Sequence, residues 1–146
     1  MSLDRATQLP VDIEVSSMNV PGVLSVGQCG FDHTRISRFL LESFGATTVA
    51  SDTADNALAA VRSGSFELIL VNRVFDRDGY LGLELIRSLK GDPALAGIPV
   101  ILVSNYADAQ AEAVALGALP GFGKGDLSSA KARETLDPIL KLAESR

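Results

Sequence analysis

From Val23 onward, short apolar runs alternate with stretches of helical periodicity. Leu68 to Val71 and Val100 to Val103 are unbroken apolar runs, and Val23 to Val26 is nearly so. Runs this short and this rich in β-branched residues read as strands covered on both faces. Thr47 to Ala50 is a β-branched strand, and Ala118 to Phe122 is a short, proline-containing fifth strand. Between them lie helical patterns. Ile36, Phe39, Leu40 and Phe44 recur at helical spacing, with Asp32 as the expected N-cap. Asp55 to Ser63 is a helix closed by Gly64 as a C′ residue. Leu83, Leu85, Ile86 and Leu89 mark a third helix, and Asp108 to Leu116 is an alanine-rich fourth. Ser128 or Ser129 caps a final helix carrying Leu136, Ile139 and Leu140, which Pro138 is expected to kink or restart.

Strands alternating with helices argue for an α/β fold, a parallel sheet with helices on both faces. Right-handed crossovers leave few topologies, and the flavodoxin-like order 2-1-3-4-5 is one common solution. The expected organisation is a doubly wound (βα)5 domain over residues 23–146, preceded by a segment 1–22. In that segment Val11, Ile13 and Val15 alternate with Asp12 and Glu14, which suits an added edge strand or a loosely ordered tail.

Hydrophobic residues make up 47% of the chain, enough for one well-filled core. No apolar run approaches the ~20 residues that span a bilayer, and the N-terminus lacks a secretory pattern. The single cysteine, Cys29, excludes an internal disulfide and fits a cytoplasmic setting. A net charge of -5 and 5% aromatics argue against direct nucleic-acid binding through a basic face or a stacking platform.

Three stretches carry a family resemblance. DPALAGIPVILVSN (Asp92 to Asn105) ends with Ser104 at a strand tip. ALGALPGFGKG (Ala115 to Gly125) contains Lys124. LGLELIRSLK follows the strand that ends at Asn72. In order and spacing these resemble the receiver domain of bacterial response regulators, over roughly Val23 to Leu140. The resemblance implies the fold above and a signalling module rather than an enzyme. It places a phospho-acceptor aspartate at Asn72, two Mg²⁺-binding acids at Gly27 and Gln28 (or Gln28 and Cys29), phosphoryl-oxygen ligands at Ser104 and Lys124, and a switch aromatic at Gly121.

This chain departs from that pattern at the reactive positions. An amide is a poor nucleophile, so Asn72 is a degenerate acceptor. Gly27, Gln28 and Cys29 offer no carboxylate to a hard cation such as Mg²⁺. Gly121 lacks the aromatic ring, and Phe122 points to the opposite face. Gly125 replaces the proline after the lysine, and an insertion makes Gly82 rather than Gly79 the matching glycine. No cofactor and no metal are expected. Ser104 and Lys124 read as remnants kept for structure, with Lys124 bonded to the Asn72 carbonyl oxygen or nearby main-chain carbonyls.

Asp32, Asp76 and Asp78 are the acids placed to serve as displaced acceptors. The plainer reading gives Asp32 a capping role and the other two a turn-shaping role. His33 reads as a surface histidine, and Cys29 as a small packed residue. The resulting expectation is a stand-alone atypical receiver that binds a protein partner, a histidine kinase or downstream effector on another chain, without phosphorylation. Arg35 and Arg38 on the first helix are candidate contacts, and a homodimer stays open. Two alternatives remain. One is a small-ligand or nucleotide sensor using Gln28, Asn72, Ser104 and Lys124. The other is a true phosphorelay receiver with a displaced acid.

Overall fold

The computed structural model describes residues 21–145, with side chains described through residue 141. Five parallel strands, β1 (Gly22–Val26), β2 (Thr47–Ser51), β3 (Leu68–Asn72), β4 (Val100–Val103) and β5 (Leu119–Phe122), form one sheet in the order β2-β1-β3-β4-β5. The helices are α1 (Gly30–Phe44), α2 (Ala54–Ser63), α3 (Gly82–Gly91), α4 (Ala107–Ala115) and α5 (Ala130–Ser145). This is the flavodoxin-like architecture expected from the alternation.

Position in the sheet explains the sequence patterns. β3 pairs with β1 on one side and β4 on the other, and all five of its residues are buried. A strand with neighbours on both edges and helices on both faces is shielded from water, so Leu68 to Val71 are all apolar and only its last residue, Asn72, is polar. Alternate side chains divide between two cores. Leu24, Val26, Ile69, Val71 and Leu102 pack against α2, α3 and α4, with Ala57, Leu85 and Ala113 among the contacts. Val23, Leu68, Leu70, Ile101 and Phe122 pack against α1 and α5 through residues such as Leu40 and Leu136. β2 lies at the sheet edge, and Val49 there is half exposed.

Of the local expectations, the cap of α1 is overturned, the end of α2 at Gly64 is met, and α5 does not restart at Pro138. Cys29, not Asp32, is the N-cap of α1: its Sγ accepts the Asp32 N–H at 3.4 Å. The helix begins at Gly30, so Asp32 falls inside the first turn and its carboxylate is free to point elsewhere. Gly64 does cap α2, but with φ -124° and ψ -170° it is extended rather than left-handed. The chain leaves the helix directly toward β3, and an added Cβ would lie 3.1 Å from the Ala60 carbonyl oxygen. α5 neither stops nor restarts at Pro138 but runs through it. Pro138 itself is exposed, while Ala132, Leu136 and Leu140 are fully buried and hold the helix to the sheet. Of the two serines proposed to cap α5, Ser129 does so, its Oγ accepting the Ala132 N–H at 3.2 Å. The alternating segment Val11 to Val15, and with it the choice between strand and tail, lies outside the described residues.

Candidate functional site

In a doubly wound sheet the loops at the carboxyl ends of the strands form the binding crevice. Asn72 ends β3, Ser104 follows β4 and Lys124 follows β5, and these three line a cavity of about 310 Å³ together with Arg73 and Tyr106. Gly27 and Gln28, which follow β1, do not line it. The expectation that Gln28 shares one crevice with Asn72, Ser104 and Lys124 is therefore corrected.

Asn72 is buried, and its side-chain amide is fully engaged with the backbone. Nδ2 donates to the Gly27 carbonyl at 3.0 Å and to the Val74 carbonyl at 2.8 Å. Oδ1 accepts the Arg73 N–H at 3.0 Å. The side chain thereby ties the β1–α1 loop to the β3–α3 loop. Both donor hydrogens face carbonyl oxygens, an arrangement that an amide satisfies and a carboxylate does not. Next to it, Gly82 packs against the strand end. A Cβ at residue 82 would fall 2.1 Å from the Asn72 carbonyl oxygen, and the Gly82 N–H donates to the Arg73 carbonyl at 2.8 Å. Gly79 meets no such constraint on space, although its φ of 74° suits glycine.

The loop after β1 is closed from a direction the sequence did not reveal. Gly27 has φ 81°, and a Cβ there would lie 2.3 Å from the Phe75 ring. Phe75 is 1% exposed and packs against Tyr80 with ring centroids 5.4 Å apart. An aromatic plug thus fills the space that any side chain at residue 27 would need. Gln28 is buried, and neither of its amide atoms finds a hydrogen-bond partner among the described residues. Among those residues no group of three or more His, Cys, Asp or Glu is placed to hold a metal ion.

Among the described residues Lys124 bonds neither the Asn72 carbonyl oxygen nor other main-chain carbonyls. Its Nζ donates to Asp32 Oδ2 at 2.8 Å. The cap role expected of Asp32 hides this pairing in the sequence. With Cys29 capping α1, Asp32 reaches across to the segment after β5. Arg35 joins the cluster, its guanidinium 3.8 Å from Asp32 Oδ1 and 3.3 Å from the Lys124 carbonyl oxygen. The Lys124 hydrogen bond is the main cause that holds the Asp32 carboxyl below its usual range, against the opposing effect of partial burial. Arg35 is therefore partly committed to this cluster, whereas Arg38 is exposed.

Ser104 is buried, and its Oγ accepts the Tyr106 N–H at 3.1 Å. Tyr106 is exposed and carries the Arg73 guanidinium over its ring at 4.6 Å. At residue 121 a Cβ would lie 2.3 Å from the Leu102 carbonyl oxygen, so the backbone admits only glycine. Phe122 points the other way, into the core beside α1 and α5. Gly125 is exposed with open space around it.

The acids after β3 are exposed. Asp78 Oδ1 accepts the Tyr80 N–H at 3.0 Å and shapes the turn, and the Asp76 backbone N–H donates to the Gly27 carbonyl. His33 is not a plain surface residue: it is half-buried, with an unpartnered Nδ1. Phe75 and the Arg73–Tyr106 pair escaped sequence reasoning. For Arg73 and Phe75 the signal was the insertion in the loop RVFDRDGY, and Tyr106 carried none.

No family model matches the chain. The chemotaxis protein CheY of Pseudomonas aeruginosa is 31% identical over 74 residues, which is 50% of this chain and 58% of that protein. The aligned region thus spans little more than half the length of that relative. Among solved structures, the chemotaxis response regulator CheY4 of Vibrio cholerae superposes with a TM-score of 0.65 at 18% identity, covering 84% of this chain and 100% of that one. The signal receiver domain of a DNA-binding response regulator from Colwellia psychrerythraea gives a TM-score of 0.62 at 22% identity, covering 72% of this chain and 86% of that one. At these identities the structural likeness shows the fold. Together with the partial sequence match it makes the chain similar to CheY-like receiver domains.

Proposed function

We propose that this receiver-like domain is an interaction module in bacterial signal transduction whose binding does not depend on phosphoryl transfer. The observation that carries the reading is the state of Asn72. Its amide is spent on three backbone hydrogen bonds and offers no nucleophile. Two neighbours support it. Phe75 fills the space beside Gly27, and Lys124 is held by Asp32. Phosphoryl transfer to an aspartate needs a free carboxylate and a metal to neutralise the moving charge. The partner is a signalling protein on another chain, and the setting is the cytoplasm. On α1 the domain exposes Phe31, 73% exposed, and Leu41, 57% exposed, with the exposed Arg38 between them in sequence.

Incubation with acetyl phosphate and Mg²⁺, read by intact mass, tests this proposal. An unchanged mass is the expected result. A gain of one phosphoryl group would return the displaced acceptors Asp76 and Asp78 to consideration and sink the reading.

A second reading, a small-anion sensor, has one observation in its favour. The crevice beside Asn72 holds Arg73, Lys124 and the Ser104 hydroxyl around a cavity of about 310 Å³. A thermal-shift series with inorganic phosphate and nucleotides decides it. A saturable rise in melting temperature that is lost in Arg73→Ala supports the sensor, and no rise at millimolar ligand removes it.

A further inference from the structure

Gln110 sits in the middle of α4, on the side facing the sheet. Its Nε2 donates to the Leu102 carbonyl and to the Ser104 carbonyl, each at 2.8 Å. Its Oε1 accepts the Gly121 N–H at 2.9 Å. One side chain therefore uses both donor hydrogens and its acceptor to join α4, the end of β4 and β5. The pairing of β4 with β5 is irregular between Ile101 and Val103. Gln110 adds side-chain bonds across this irregular stretch. Gly121 makes room for it: an added Cβ would lie 2.9 Å from Gln110 Oε1 and 2.3 Å from the Leu102 carbonyl oxygen. The intervening loop is fixed at its other end by the Ser104 Oγ bond to the Tyr106 N–H and by the Ser104 N–H bond to the Phe122 carbonyl.

We infer that Gln110 is a built-in pin that holds α4 and the β4–α4 junction to the β4–β5 edge in one conformation, so that the α4–β5 face does not respond to changes in the crevice beside Asn72. The pin gives the phosphorylation-independent reading a mechanical basis. The two are separable, because phosphotransfer is read by mass and the pin by amide behaviour. A side chain with three hydrogen bonds to the backbone of β4, β5 and the loop after β4 resists the sliding of α4 that a switch would need. The α4 residues Ala111 and Val114, and Pro120 on β5, face solvent across a groove whose shape is then preset.

The test is amide exchange and chemical-shift mapping by NMR on the full chain. Gln110→Leu keeps a similar volume and removes all three bonds. Exchange at the Gly121 N–H and the α4 amides is expected to rise by about tenfold, while amides of β1 and β3 keep their protection and show that the fold is intact. The crevice is perturbed separately by Lys124→Ala. In the wild-type background the α4 amide shifts stay in place, and in the Gln110→Leu background they move. Unchanged exchange at Gly121 in Gln110→Leu overturns the inference. So does movement of the α4 amide shifts in Lys124→Ala alone, a measurement that stands even if Gln110→Leu fails to fold.

Discussion

Asn72 shows how one atom changes a residue's role. Its amide nitrogen, where a carboxylate would have a second oxygen, donates to two carbonyls and makes the end of β3 a bracket between two loops. Replacing it with aspartate would aim a carboxylate oxygen at the Gly27 and Val74 carbonyls and remove both donors. Burying a charge against two carbonyls is more costly than losing neutral bonds. Asn72→Asp is therefore expected to lower stability by about 2–4 kcal/mol in denaturant titration, without gaining mass from acetyl phosphate. A variant as stable as wild type would show that the three bonds contribute little. Gly27 belongs to the same scale. Its missing side chain reads in sequence as an absent acid, but the Phe75 ring occupies the place any acid would need.

At the scale of elements, one ion pair ties α1 to the turn after β5. Asp32 and Lys124 are 92 positions apart in sequence and 2.8 Å apart in space. The Asp32 carboxyl is held below its ordinary value of 3.8, chiefly by Lys124. A carboxylate with a lowered folded pKa binds protons more weakly than in the unfolded chain. Its contribution is therefore complete above the unfolded value and disappears as pH falls through the lowered folded one. Asp32→Asn should cost about 1 kcal/mol or less at neutral pH, since the pair is partly solvated. The gap between variant and wild type should close below about pH 4 in parallel denaturation curves. A gap that persists unchanged into strong acid would assign the loss to packing instead.

For the molecule as a whole, charge at the strand ends distinguishes this domain from a metal-dependent one. Two carboxylates ~4 Å apart repel by about 4 kcal/mol at an effective dielectric of ~20, and a bound cation relieves that. Here residues 27, 28 and 72 are neutral, and Asp32 is paired with Lys124. Millimolar Mg²⁺ is accordingly expected to leave the melting temperature unchanged. A Mg²⁺-dependent, saturable rise would reveal a cation site that these residues do not provide.

The strand runs, their alternation with helices and the resulting (βα)5 order were legible in the chain, because burial on two faces forces continuous apolar segments. So were the residue types at positions 27, 28, 72, 104, 121 and 124. What those residues do was decided only by the folded chain. Local patterns do not show that Cys29 takes the cap and frees Asp32, or that Lys124 turns to Asp32 rather than to Asn72. Phe75 coming to lie against Gly27, and Gln110 reaching β4 and β5, are equally hidden. Each of these contacts joins loops or elements far apart in sequence. Periodicity reports which face of an element is buried, not which side chain from another element arrives there.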